Sequence, residues 1–338
     1  MRDEASVDRG AYPDVVTPWD DPDWRRDALA WAERGLAVRG WTGVRRVAVR
    51  VRPWSVLVRM SVVGGPDVWF KANPPGSAFE AGLTEALARW VPGHVLEPLA
   101  VDTERGWSLL PDGGTLFRDA PGAGVGAWEQ ALQQYATVQR ALCSRVEEID
   151  RLGVPDARTT VLPEVFDRVV EENAALDADT RAALRALRPR VVGWCEELAA
   201  LGIPDSLDHA DLHDGQLFAP EPGRFTFFDW GDAAVSHPFC SLFVPLNSAV
   251  ERYGQQALPR LRDAYLDAWT GMGVTPAELR RAAVLARHLG AIGRACSWAR
   301  LFPTALRGLT DVAGAGGAQS LRELLSDPAR NEAPGAGR

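Results

Sequence analysis

The chain has 338 residues, 46% hydrophobic and 24% charged, the proportions of a soluble globular protein long enough for two domains or one large two-part unit. A formal net charge of −8 argues against a nucleic-acid groove, and with no apolar signal core and no run of 18 apolar residues a membrane span is not expected. Cys143, Cys195, Cys240 and Cys296 form no CxxC pair, which argues against zinc-ribbon and thioredoxin chemistry and reads as reduced thiols in a cytoplasmic protein.

Residues 1–18 read as a loose arm. The next stretch, to Gly40, reads as a helix with Asp20 or Asp21 as its cap and Pro22 in its first turn. Residues 44–63 are rich in valine and arginine with partial alternation, a strand pattern that "PWS" at 53–55 breaks into a hairpin. "GGPD" at 64–67 makes a second turn and "VWFKA" at 68–72 a third strand. Residues 77–91 form an amphipathic helix with Ser77 as N-cap and an apolar row of Phe79, Leu83, Leu87 and Val91. Strands at 94–102 and 106–112 complete a small antiparallel α+β region of about five strands with one helix, ending near Gly113–Gly114.

From 125 onward the pattern is helical. One stripe runs from Val125 through Trp128, Leu132, Tyr135 and Val138 to Leu142 and Val146, and further helices fit 161–175, 178–201, 239–255, 258–272, 276–301 and 317–326. Between the second and third of these lies "SLDHADLHDGQLF" at 206–218, followed by a short hairpin with a Pro-Gly turn at 220–223 and by "FFDWGD". The tail "NEAPGAGR" at 331–338 is expected to be disordered.

Among the basic residues Lys71 is the one lysine; all the others are arginine. Coding bias accounts for the arginines but leaves the lysine to explain. A compact ammonium differs from a planar guanidinium fork, and phosphate sites use that difference.

Three pieces now stand in order: Lys71 on the third strand followed by a helix with Glu80 and Glu85, the loop "HADLHDGQ", and "FFDWGD" with Asp229. This order resembles the protein-kinase-like fold, and in detail the aminoglycoside phosphotransferase and choline kinase family, whose loop commonly reads H-G-D-L-H-x-x-N and is followed by an aspartate in an I-D-W-type segment. The resemblance spans about 40–326. It implies a two-lobed α+β fold, with a small antiparallel-sheet lobe holding one helix and a larger, mainly helical lobe. The corresponding organisation is an arm and helix over 1–40, a nucleotide-binding lobe over 41–112, a catalytic and substrate-binding lobe over 113–330, and the tail.

The implied activity is transfer of phosphate from ATP, or GTP, to a hydroxyl of a small molecule such as an aminoglycoside or other antibiotic, an amino sugar or a nucleoside, with a role in antibiotic resistance. Phosphoryl transfer rests mostly on positioning and charge stabilisation. By resemblance, Lys71 holds the α- and β-phosphates and is fixed by Glu80, with Glu85 as the alternative. Asp211 is the catalytic base, Asp229 binds Mg²⁺, and Gln216 stands where the family has a metal-binding asparagine. Ser55 at the first hairpin donates to a phosphate, Trp54 beside it covers the nucleotide or packs on the lobe, and the backbone around Leu110 and Asp112 reads the purine edge between the lobes.

His209 and His213 read as braces of the loop. Their i, i+4 spacing raises zinc, but the residue after the first histidine is Ala210 and not the glutamate of the helical zinc motif. Asp232 is either a structural acceptor or a substrate contact. Arg294, Trp298 and Arg300 are the candidate acceptor contacts. Two departures stand out: "VRPWSVLV" replaces a glycine-rich loop, and Ser241 replaces the aspartate of the family's P-x-x-D-L, weakening a structural hydrogen bond. The competing reading is a catalytically inactive nucleotide-binding module. A protein kinase is disfavoured because no A-P-E anchor follows "DWGD". Partners are confined to the nucleotide and the acceptor, with neither nucleic acid nor membrane, and the chain is expected to be a monomer or homodimer.

Overall fold

The computed structural model describes residues 6–326; the tail at 331–338 lies outside them. The chain divides into two compact units that part between Gly113 and Gly114, with Arg300–Thr310 belonging to the first.

The first unit begins with β1 (Ser6–Asp8) and α1 (Pro22–Ala37), whose N-cap Asp21 accepts hydrogen bonds from the backbone N–H groups of Asp23 and Trp24. β2 (Val44–Arg52), β3 (Ser55–Val62) and β4 (Asp67–Ala72) follow, then α2 (Phe79–Trp90), β5 (Ala100–Asp102) and β6 (Trp107–Pro111). The sheet order is β1-β2-β3-β4-β6-β5, antiparallel throughout except that β1 runs parallel to β2. Part of the arm expected to be loose is thus an edge strand, held because Arg52 donates to the backbone oxygen and the carboxylate of Asp8, both at 2.8 Å. Three residues are too few to leave a periodic signal. α1 lies on the sheet, with Trp24 and Trp31 set edge-on to Phe70 and Trp107.

Two local expectations change. Ser77 does not cap α2; it closes a 3-10 turn, Pro75–Ser77, and the N-cap is Ala78. The strand expected over 94–102 shrinks to β5 because Pro98, with no N–H, cannot join the ladder.

The second unit contains α3 (Val125–Leu142), α4 (Val146–Arg151), β7 (Asp156–Ala157), α5 (Leu162–Glu172), α6 (Ala178–Ala200), β8 (Ser206–Asp208), the hairpin β9 (Leu217–Glu221) and β10 (Arg224–Phe227), and β11 (Ala234–Ser236). A 3-10 turn, Pro238–Leu242, leads into α7 (Phe243–Tyr253), α8 (Ala257–Asp267) and α9 (Pro276–Ser297), and α10 (Pro303–Glu323) is counted with the first unit up to Thr310 and with the second from Asp311. The apolar stripe of α3 is buried from Trp128 to Leu142, but the helix breaks at a 3-10 turn, Cys143–Arg145, where the pattern had suggested one continuous element. α10 starts well before the expected 317, its small residues reading as a break in sequence yet admitting close packing. A Cβ on Gly316 would lie 2.5 Å from the Trp298 ring.

The pieces that present the catalytic loop are short. β7, β11 and β8 form a three-stranded sheet, with β8 antiparallel and β7 parallel to β11. Such two- and three-residue strands were invisible in the sequence. No helix among the described residues is long and apolar enough to cross a membrane.

Candidate active site

In the first unit Lys71 sits on β4, between Leu57 of β3 and Ser108 of β6. Its ammonium lies 2.7 Å from Glu80 Oε1 and 2.6 Å from Oε2, and both side chains are more than nine-tenths buried. Glu80 is in the first turn of α2, and its Oε2 also accepts from Asn73 Nδ2 at 2.6 Å. Glu85 is one and a half turns further on, half-exposed, and pairs with Arg89 at 3.2 Å. Ser55 opens β3 opposite Arg52 and is buried. The Pro53–Trp54 turn before it is tied down on both sides. Tyr12 stands edge-on to Trp54 at 5.3 Å, and Phe302 N–H donates to Pro53 O at 2.8 Å. Leu110 pairs with Trp69 in the β4–β6 ladder. Asp112 spends its N–H on Asp67 O at 3.2 Å, and its carboxylate accepts from Trp69 Nε1 at 3.2 Å.

In the second unit the loop between β8 and β9 carries Asp211. Ala210 adopts φ +58°, a left-handed conformation that costs a non-glycine residue roughly 1–2 kcal/mol. It is held there by Asp208, a buried carboxylate that accepts from Ala210 N–H at 2.7 Å. Asp208 also accepts from Ser241 Oγ at 2.7 Å and from Ser236 Oγ at 3.4 Å. Ser241 further contacts Tyr135 Oη at 3.0 Å and accepts from Gln139 Nε2 at 3.0 Å. The loss of an aspartate at 241 therefore does not weaken the brace as expected. The carboxylate stands on the other partner, one residue before the loop. Asp208, Ser236, Tyr135 and Gln139 escaped the sequence reading, and their one visible trace was an aspartate directly before His209.

His209 is fully buried, and its Nε2–H donates to Phe228 O at 2.8 Å, which couples the loop to the segment bearing Asp229. Burial lowers its pKa to about 4, so the ring is neutral at pH 7. His213 Nδ1 accepts from Gly215 N–H at 3.0 Å, and burial with Arg118 nearby lowers its pKa as well. Each histidine thus has one ring nitrogen hydrogen-bonded to backbone, which is a bracing role. Gly215 lies directly under the Arg118 guanidinium, and a Cβ there, 1.2 Å from Arg118 Nη2, would push that side chain aside.

Asp211 is enclosed. Gln216 Nε2 donates to its Oδ2 at 3.4 Å, and Arg294 Nη2 lies 2.9 Å from its Oδ1. Burial pushes the Asp211 carboxyl up to about 7, against the pull of Arg294 and helped by the negative charges of Asp232 and Asp229. Arg294 Nη1 donates to Asp232 Oδ2 at 2.6 Å, which gives Asp232 a structural partner. Arg294 reaches this place because α9 packs tightly on the Pro238–Leu242 turn. A Cβ on Gly290, one helical turn earlier, would lie 2.4 Å from Cys240 O.

Asp229 also has left-handed backbone, φ +66°, at the start of a 3-10 turn, Trp230–Asp232. Among the described residues no group of three or more His, Cys, Asp or Glu side chains could hold a metal ion. Asp229 and Gln216 carry side-chain oxygens of the hard type that Mg²⁺ takes, and Mg²⁺ needs few such donors from protein.

A strand lysine clamped by a helix carboxylate, and an aspartate loop braced to a second aspartate, belong to a protein-kinase-like fold. The model of the phosphotransferase enzyme family matches residues 39–283, most of the chain, and the chain belongs to that family. It is a small-molecule kinase. Among solved structures, an ethanolamine kinase from Plasmodium vivax is similar at TM-score 0.60 and 11% identity, covering 89% of each chain. APH(2")-IIia, solved with GDP and kanamycin, has TM-score 0.56 and 16% identity over 87% of this chain and 98% of that one. A choline/ethanolamine kinase family protein from Mesorhizobium loti has TM-score 0.56 and 18% identity over 90% and 98%. No curated protein sequence matches the chain.

Proposed function

We propose that the chain transfers the terminal phosphoryl group of ATP or GTP to a hydroxyl of a small organic molecule. The observation that carries this reading is Asp211, a buried carboxylate on a braced loop with its pKa raised to about 7, the value suited to taking a proton near neutral pH. The acceptor O–H passes its proton to Asp211 while its oxygen bonds to the terminal phosphorus, and the bond from that phosphorus to the bridging oxygen breaks to release the nucleoside diphosphate. Lys71, kept rigid by Glu80, receives phosphate oxygens of the nucleotide. Ser55 adds a donor at the tied-down hairpin turn, and the backbone near Leu110 and Asp112 borders the base. Asp229 and Gln216 hold Mg²⁺, which when bound neutralises phosphate charge.

One structural neighbour was solved with GDP and kanamycin, and others are choline or ethanolamine kinases, so both nucleotides and both antibiotic and amino-alcohol acceptors belong in the assay. An antibiotic acceptor would make the chain a resistance enzyme. The sheet unit serves the nucleotide and the helical unit the acceptor, in a cytoplasmic monomer or homodimer. The test is turnover of Mg-ATP and Mg-GTP across aminoglycosides, nucleosides, amino sugars and amino alcohols, with Asp211→Ala as control. Nucleotide binding without Asp211-dependent transfer to any acceptor refutes it and favours the second reading, an inactive nucleotide-binding module. That alternative draws support from Gln216 at the position of the family's asparagine.

A further inference from the structure

The sheet face that carries Lys71 also carries Asp112. Val68 and Phe70 of β4 turn to the buried side, where Phe70 meets Trp24 and Trp31 of α1, so Trp69 and Lys71 turn to the other. The ladder pairs Lys71 with Ser108 and Trp69 with Leu110, and it continues to Asp112, whose N–H donates to Asp67 O at 3.2 Å. Residues opposite one another in a ladder share a face, so Lys71, Trp69, Leu110 and Asp112 lie along one track. The Asp112 row is about 13 Å from the Lys71 row along the strand. A nucleotide laid along β4 with its α- and β-phosphates on Lys71 therefore brings its base toward Asp112.

At that end of the track the protein accepts hydrogen bonds and does not donate them. Asn73 N–H on Gly106 O and Asp112 N–H on Asp67 O set the alternation of the β4–β6 ladder. It puts Trp69 and Leu110 in a hydrogen-bonded pair and turns Leu109 and Pro111 toward the β5 side. The β5 pairing ends at Leu109, whose carbonyl accepts from Leu99 N–H at 2.7 Å. Beyond it Pro111 presents a carbonyl oxygen and, being proline, no N–H. The Asp112 side chain is an acceptor too. Its carboxylate is fixed by the half-exposed Trp69, whose Nε1 donates to Oδ2 at 3.2 Å. Trp69 in turn packs beside Arg59, whose guanidinium carbon lies 6.0 Å from the ring centre. The indole takes one of about four lone pairs that a carboxylate offers.

Resting on the phosphotransferase reading, we propose that the chain prefers guanine nucleotides and that the Asp112 carboxylate reads the base. Guanine has two adjacent donors, N1–H and the 2-amino group, and a carboxylate accepts one on each oxygen. Adenine has one donor on that edge, the 6-amino group, and beside it the N1 lone pair. That lone pair needs an N–H, and neither Pro111 nor Asp112 has one to give. It would instead face the second carboxylate oxygen. Trp69 acts as a positioning residue, holding the carboxylate at the base.

The test is titration calorimetry of the full chain, with Mg²⁺ present, against GDP, ADP, inosine diphosphate and xanthosine diphosphate. GDP should bind about tenfold or more tightly than ADP, the discrimination that one bidentate base contact gives. Inosine diphosphate, which lacks the 2-amino group, should fall between them. Asp112→Asn, at an exposed position, should bring GDP and ADP together and strengthen binding of xanthosine diphosphate, whose oxygen at C2 can accept from a carboxamide. Trp69→Phe, which keeps a ring but removes the N–H, should lower the GDP preference by a smaller factor. Equal binding of GDP and ADP by the parent protein, tighter ADP binding, or a GDP preference that survives Asp112→Asn overturns the proposal. Failure of the underlying reading has a different signature: Lys71→Ala then leaves the affinity for both nucleotides unchanged.

Discussion

Lys71 and Glu80 offer a test in which the expected result runs against simple counting of contacts. The ammonium lies within 2.7 Å of both carboxylate oxygens, and both side chains are more than nine-tenths buried. At that distance, with an effective dielectric of about 20, the attraction is about 6 kcal/mol. Removing two ions from water costs several kcal/mol each, so the pair as a whole adds little to stability. Removing one partner is different, because it leaves the other charge buried without its counter-ion. Lys71→Met and Glu80→Gln should each cost about 3–5 kcal/mol. The double variant, which buries neither charge and leaves a carboxamide beside Asn73, should cost no more than about 2 kcal/mol by the same principle. Urea unfolding followed by tryptophan fluorescence reads this cycle, since Trp24, Trp31 and Trp107 cluster on Phe70 in the same unit. The reasoning is refuted if the double variant is as unstable as the sum of the single ones. Every variant lacking Lys71 should also bind nucleotide more weakly, whatever its stability.

Three further outcomes follow from the catalytic loop. With the Asp211 pKa raised to about 7, the base is protonated on the acid side and cannot accept the acceptor's proton, so kcat should climb as pH rises through about 7 and then level off. Arg294 favours the ionised carboxylate, so Arg294→Gln should shift that limb to higher pH; a flat profile in the parent protein would show that Asp211 is not the base. Asp208→Ala strands Ala210 N–H at a strained φ, whereas Ser241 and Ser236 can turn to Tyr135 Oη and His237 O, so the loss should be about 2–3 kcal/mol in urea unfolding, with a lowered kcat and nucleotide affinity unchanged. An unaltered kcat would remove Asp208 from the positioning of the loop. Gln216→Ala should raise the Mg²⁺ concentration needed for half-maximal turnover, and an unchanged requirement would exclude Gln216 as a ligand.

Much of this architecture is local, and local patterns are legible. Valine-rich alternation announced β2 and β3, the apolar stripe of α3 announced its buried face, and the order of Lys71, the "HADLHDGQ" loop and Asp229 announced a phosphotransferase family member before any contact was known. Composition likewise singled out Lys71, because a lone lysine among arginines is visible without a fold. What stayed hidden depends on residues far apart in sequence. The choice of Glu80 over Glu85 as the lysine's partner is made by which side of α2 faces β4, which spacing alone left open. The brace on the catalytic loop joins Asp208 to Ser241 across 33 positions, and the seating of Arg294 on Asp211 spans 83 and depends on a glycine that lets α9 approach. Hydrophobic periodicity encodes which face of an element is buried. Which polar groups meet once those faces pack is a property of the tertiary structure, because a hydrogen bond or ion pair needs two distant side chains brought within about 3 Å.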